Sequence, residues 1–362
     1  MAAVDFLLDL VSIPSVSSIS NQPVIDYACA HLDPNVWTVE RFPYEKDKVN
    51  LVAKTGDGVA ELALVCHTDT VPFDPAWAEA THPVVRDGHL YGRGSCDVKG
   101  FLACVLEAVS RMHRPRHPLA VILTADEEIG CIGAKRLAAA NAVKARYMIV
   151  GEPTGLRPAF AGKGYGLAEI VVRGQEAHSA FPDRGRSAIR DAARILEHLD
   201  AVAGELAAHC NPDFDPPYTT LNVGLIQGGT AKNIIAGECR MTLEWRPVPG
   251  QPADLALDLL RRELLAFDAE LIVQRLDSPF QPGVSRTLEQ RIASLTGRAP
   301  TTLSFGTEAG HLGIHAEQVV VFGAGDMTTA HKTGECVPVA ELEECTAVLH
   351  TLIHELCDDG RY

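Results

Sequence analysis

Four apolar runs of strand length, each giving way at its C-terminal end to acids, histidines or a glycine turn, constrain this chain more than any other feature. ELALVC ends at His67, LAVILTA at the triplet Asp126, Glu127 and Glu128, and RYMIVG at Glu152. QVVVFGAGD precedes the segment TTAHKTGECV, which carries His331, and a Gly-rich loop, YGRGSCDVKG, delivers Asp97 just ahead of an apolar helix, FLACVLEAV. Buried strands that run out into loops are where an open α/β sheet presents its working groups. The spacing is too wide for one local motif, so any site these residues form is assembled by tertiary folding.

Two histidines with several carboxylates form a mixed nitrogen and oxygen donor set, which favours zinc, with cobalt also suited to imidazole. His67, Asp97, Glu128 or Glu127, Glu152 and His331 are more donors than one catalytic ion with an open position needs, so one carboxylate is expected to bridge two ions. Such a pair can acidify a water and polarise a carbonyl, and a remaining carboxylate must take the water's proton. Glu127 and Glu128 are neighbours, and adjacent extended residues point to opposite sides, so one can ligate while the other faces the water. Spacing does not say which. Taken singly, each residue has an ordinary use: Asp97 suits a helix cap, the two glutamates suit a charged loop, and a lone strand-end histidine is commonly a satisfied polar residue. Their joint occurrence at successive strand ends argues for a metal site.

A length of 362 residues exceeds one ordinary core and suggests two domains. Met1 to Leu10 reads as an amphipathic helix rather than a signal peptide, no long apolar run is present, and a cytoplasmic protein without a membrane partner is expected. Ten cysteines occur without CxxC spacing, several inside apolar runs, as befits reduced core thiols. A net charge of −15 with no lysine-rich tract argues against a nucleic-acid partner, which would need a basic face to release counterions.

Between residues 165 and 276 the pattern changes. GLAEIVVRG, TTLNVGLIQGG, ECRMTLEWRP and ELIVQRL read as strands, and RSAIRDAARILEHLDAV and ADLALDLLRRELLAF as amphipathic helices. The order βαββαβ predicts a ferredoxin-like α+β insert, which leaves residues 1–164 and 277–362 as the metal-binding domain. Its open sheet edges would be protected by pairing across a two-fold axis, which predicts a homodimer.

HTDTVP, YGRGSCDVKG, TADEEIG, GEPTG, GQEAHSA, LNVGLIQGGTAKNI, EWRPVPG, FGTEAG and TAHKTGE together resemble, in order and over nearly the whole chain, the aminoacylase, acetylornithine deacetylase and succinyl-diaminopimelate desuccinylase family of two-metal amidohydrolases. Among its branches, TADEEIGCIGA, GEPTG and FGTEAG are most similar to acetylornithine deacetylase. The resemblance implies a zinc-exopeptidase-like mixed-sheet catalytic domain with the insert as lid and dimerisation domain. It implies two divalent ions, zinc or cobalt: His67 and Glu152 on one, Glu128 and His331 on the other, Asp97 bridging. It makes Glu127 the general base, places Asp69 against the second nitrogen of His67, and implies a cis bond from Asp97 to Val98. By the same resemblance His178 reaches the partner subunit's site to support an oxyanion. Asn233, Arg246, Gly306 and Thr307 lie near the substrate, and Lys163 in AGKGYG matches a basic position. The implied reaction is hydrolysis of a small N-acyl amino acid, with acetylornithine first and acetylcitrulline, succinyl-diaminopimelate or a dipeptide as alternatives. Ser187 stands where relatives usually have asparagine and can cap the helix that follows.

Overall fold

The computed structural model describes residues 1–110, 112–283 and 285–358. In chain order the strands used below are β1 (Thr38–Tyr44), β2 (Lys48–Lys54), β3 (Ala60–His67), β4 (Leu119–Thr124), β5 (Ala145–Gly151), β6 (Ala159–Gly162), β7 (Tyr165–Arg173), β8 (Thr220–Gly228), β9 (Glu238–Arg246), β10 (Ala269–Asp277), β11 (Thr301–Leu303) and β12 (Ala316–Phe322). By contacts the chain divides into two compact units, residues 1–160, 282–301 and 307–362 in one, and 161–281 with 302–306 in the other.

The larger unit is organised on a mixed sheet whose strands run in the order β1-β2-β4-β3-β5-β12. Its centre is parallel: β3 pairs in parallel with β4 and β5, and β12 pairs in parallel with β5. These four strands are the apolar runs of the sequence, and β4 is buried along its whole length. Helices Ala3–Ser12, Lys99–Ser110 and Val339–Ile353 contribute Phe6, Leu7, Leu10, Phe101, Leu102, Leu349 and Leu352 to the core they share with the sheet. Gly151 is dictated by this packing, since a β-carbon there would lie 2.1 Å from the Phe101 ring. Because the central strands are parallel, their C-terminal ends emerge together, and His67, the Asp126–Glu128 turn and Glu152 leave the sheet side by side.

The smaller unit is a four-stranded antiparallel sheet of order β8-β9-β7-β10, the ferredoxin-like order for a βαββαβ chain. Cys239, Met241, Leu243 and Trp245 alternate to the buried side of β9, where helices Ala188–Ala207 and Leu255–Leu264 complete the core. Ser187 caps the first of these, its side chain accepting from the Arg190 amide. The unit extends beyond residues 165–276 because hydrogen bonds hold flanking segments to it: Gly162 donates to the Phe280 carbonyl, Lys163 to Leu303, and the Thr302 and Ser304 hydroxyls to Asp213 and Asp215. No described helix is long and apolar enough to cross a membrane.

Candidate metal centre

Asp97 lies at the middle of the cluster. One of its oxygens is 3.1 Å from His67 Nε2 and the other 3.1 Å from His331 Nε2. Two trios that could hold a metal ion result, each with one donor atom per residue within 4.8 Å of the others: His67, Asp97 and Glu152, and Asp97, Glu128 and His331. They share only Asp97. Both Glu128 oxygens lie 3.2 Å from His331 Nε2. His331 sits in a tight turn at φ 61°, a left-handed conformation uncommon for a residue with a β-carbon, and the Asp97–Val98 peptide is cis.

The electrostatics follow from packing acids around two imidazoles. Burial works against a charged His67, but the hydrogen bond to Asp97 and the charges of Asp97, Glu127 and Glu152 outweigh it and raise its pKa well above the ordinary value. His331 is raised to about 10 by its bonds to Asp97 and Glu128. Burial also opposes ionisation of Asp97, yet the two histidines hold its carboxyl below the usual range. Glu152 is pushed well up, first by burial and then by Asp97 and Glu127. A cluster this rich in carboxylate needs positive charge, and the two histidines and three acids of the trios offer the hard and borderline donors that divalent ions take.

Glu127 belongs to neither trio. Its Oε1 accepts from the Cys131 thiol at 3.2 Å, and burial, followed by Glu128, Glu308 and Asp69 against the opposing charge of His67, lifts its pKa to about 8. Strand alternation does not separate the two glutamates, because the chain turns immediately after β4: Asp126 is at φ 59° and Cys131 at φ 52°. Asn50 staples this turn, accepting from the Ala125 amide and donating to the Gly133 carbonyl, each at 3.0 Å.

The structure corrects the expected role of Asp69. Its carboxylate is 3.8 Å from His67 Nδ1, which instead meets the Asp69 backbone carbonyl at 3.0 Å. The carboxylate accepts from the Glu127 amide at 3.0 Å, the Glu128 amide at 3.3 Å and the Ser17 hydroxyl at 2.6 Å. Two residues of loop after β3 bring the peptide oxygen, rather than the side chain, opposite the ring. Asp69 therefore holds the backbone that carries both glutamates. Ser17 is tied in turn to Lys48, whose buried ammonium donates to the Ser17 carbonyl at 2.7 Å and pairs with Asp126 at 2.8 Å. Nothing in the sequence marked Ser17 or Lys48, since their partners are distant in the chain.

The remaining expected residues lie as follows. His178 is exposed in the smaller unit, on a segment tied to that of Asn233: Ser179 donates to the Asn233 carbonyl at 2.9 Å and Ile235 to Ala177 at 2.8 Å. Arg246 packs 4.2 Å over the Tyr165 ring and pairs with Glu244 at 3.4 Å. Gly306, on the same unit, passes close to Tyr165, so that a β-carbon there would lie 3.5 Å from it. Thr307 is buried, its hydroxyl accepting from the Ala309 amide at 3.2 Å. The buried Lys163 ammonium donates to the Pro216 and Tyr218 carbonyls at 2.7 and 2.9 Å.

Glu308 was not singled out by sequence, yet it is 1% exposed and neither carboxylate oxygen has hydrogen-bond geometry to another described group. Burial, reinforced by the charge of Asp69 and offset only in part by that of His67, moves its pKa from 4.5 to about 7. At low pH the group is neutral folded or unfolded, and its titration contributes no difference in stability. As pH rises from 4.5 through 7 the unfolded chain releases a proton that the folded one holds, so stability falls, by about 3 kcal/mol once the whole shift is expressed. In metal-free protein Glu308→Gln should therefore raise the melting temperature at pH 8 and have little effect near pH 4. A difference independent of pH would contradict this origin.

Residues 63–355 match peptidase family M20/M25/M40. The chain is 46% identical to the acetylornithine deacetylase of Myxococcus xanthus over 366 residues, covering 97% of this chain and 96% of that protein. It is 32% identical to the acetylornithine deacetylase of Proteus mirabilis (strain HI4320), with 98% and 96% covered. Among solved structures, aminopeptidase PepT from Bacillus cereus ATCC 10987 superposes with TM-score 0.76 at 22% identity, with 98% of each chain covered. The M20 family metallo-carboxypeptidase Sso-CP2 from Sulfolobus solfataricus does so with TM-score 0.76 at 18% identity, with 96% and 97% covered. At those identities the two structures speak to the fold.

Proposed function

The chain belongs to peptidase family M20/M25/M40, and from that premise we propose that it is a two-metal amidohydrolase that deacetylates N-acetylornithine. The observation that carries the metal-dependent chemistry is Asp97, with a histidine on each oxygen and Glu152 and Glu128 completing the two trios. The choice of substrate rests on the nearly full-length likeness to acetylornithine deacetylases.

His67, Asp97 and Glu152 would hold one divalent ion and Asp97, Glu128 and His331 the other, with zinc or cobalt suited to the imidazoles. When bound, such ions polarise an amide carbonyl and lower the pKa of water. The chain's own residues do the rest. Glu127, outside both trios, takes the proton of the attacking water and returns it to the leaving amine. Asp69 fixes the Glu127 and Glu128 amides and so sets where the base stands relative to its neighbouring ligand. Arg246, stacked on Tyr165, offers its planar fork to the substrate carboxylate. Asn233, Gly306 and Thr307 line the substrate. His178 donates to the developing oxyanion from the smaller unit of a partner subunit, in a homodimer formed through that unit, and a monomer mass in sedimentation would overturn that arrangement. The ten free thiols suit the reducing cytoplasm.

Purified protein supplied with zinc or cobalt should hydrolyse N-acetylornithine in preference to N-acetylcitrulline, N-acetylmethionine, succinyl-diaminopimelate and a dipeptide. Preference for another N-acyl amino acid would keep the mechanism and move the substrate. Dipeptide turnover exceeding all others would make the chain an exopeptidase, and no turnover with metal bound would overturn the enzymatic reading.

A further inference from the structure

We infer that Glu335 is a positioning residue for the metal centre, the clamp that fixes Asp97 relative to His331. Its Oε1 accepts from two consecutive amides, Cys96 and Asp97, each at 3.1 Å. Its Oε2 meets Arg93 Nη1 at 2.5 Å. The Glu335 carbonyl accepts from the Gly92 amide at 3.0 Å and the Ser95 hydroxyl at 3.4 Å. Main chain and side chain of one residue are thus both bonded to the loop that ends in Asp97. Glu335 lies four residues after His331, in the same turn, where its amide donates to the Lys332 carbonyl at 3.3 Å. The two trios share only Asp97, so the spacing of His67 and His331 across it depends on how these two loops are held together.

The energetics favour a positional role. Glu335 and Arg93 are 0% and 4% exposed, and a buried ion pair of this kind commonly adds little stability over an apolar pair of the same bulk. What an apolar pair would not supply is an acceptor for two adjacent buried amides. Oriented partners behind a ligand typically govern metal affinity and activity by about 10- to 100-fold. The carboxylate acts on Asp97 through the peptide and touches no substrate.

The inference rests on the reading of Asp97 and His331 as ligands, and two variants separate reach from charge. Glu335→Asp keeps the charge opposite Arg93 but withdraws the acceptor by one methylene. The double variant R93M/E335Q removes both charges and keeps an oxygen at full reach. Zinc affinity, measured by chelator competition alongside the melting temperature of the metal-free protein, should weaken about 10- to 100-fold in Glu335→Asp. It should stay within about threefold of wild type in R93M/E335Q, and kcat should follow affinity. Unchanged zinc affinity in Glu335→Asp, or an equal loss in both proteins, would overturn the clamp. Should Glu335→Asp not fold, R93M/E335M takes its place as the protein lacking the acceptor. Wild-type protein that takes up no zinc would instead sink the ligand reading itself.

Discussion

Glu127→Gln is expected to lower kcat for N-acetylornithine by about 10²- to 10⁴-fold, the range for loss of a positioned general base, while zinc content and KM stay near wild type. The separation from metal binding is the informative part. Glu128 has both oxygens 3.2 Å from His331, whereas Glu127 stands apart from both trios and meets the Cys131 thiol. Glutamine keeps the shape and an acceptor for that thiol but cannot take a proton. The value near 8 that burial and acidic neighbours give Glu127 would be drawn down by nearby divalent charge, toward the range in which a carboxylate exchanges protons near neutral pH. Loss of zinc in parallel with kcat would mean that Glu127 is a ligand and that the division of labour between the two glutamates is reversed.

The same pair marks where the sequence could be read and where it could not. The four apolar runs announced β3, β4, β5 and β12 because a strand buried on both faces leaves a continuous apolar signature, and the alternation of Cys239, Met241, Leu243 and Trp245 announced β9 for the complementary reason. Ligand candidates were legible because parallel strands end together. Their second layer was not. Ser17 meets Asp69 across 52 residues and Glu335 meets Asp97 across 238, separations at which local pattern carries no information. Asp69 follows His67 by two residues, yet its carboxylate serves the 127–128 backbone because the two-residue loop turns the peptide oxygen, not the side chain, toward the ring. Glu308 sits in FGTEAG beside residues that were singled out, and only burial distinguishes it.

His178→Ala should lower kcat by about 10²- to 10³-fold, the usual loss on removing one oxyanion donor, with zinc content and melting temperature unchanged. The ring is prepared for donation by its own loop. The Ala180 amide donates to His178 Nδ1 at 3.1 Å, so in the neutral ring the proton resides on Nε2 and faces away from the loop. Because the side chain is exposed and outside the hydrophobic core, its removal costs the fold little. The segment is steadied from the side by the Ser179 to Asn233 and Ile235 to Ala177 hydrogen bonds, which place two polar side chains on adjoining strands of backbone. A donor that serves only the tetrahedral intermediate stabilises the transition state and leaves substrate binding alone, so KM should hold while kcat falls. If the donor comes from a partner, mixing His178→Ala with Glu127→Gln subunits should restore activity above either parent, since heterodimers then contain one site with both groups intact. Failure of the mixture to recover, with heterodimers demonstrably formed, would place His178 and Glu127 of a working site on the same subunit.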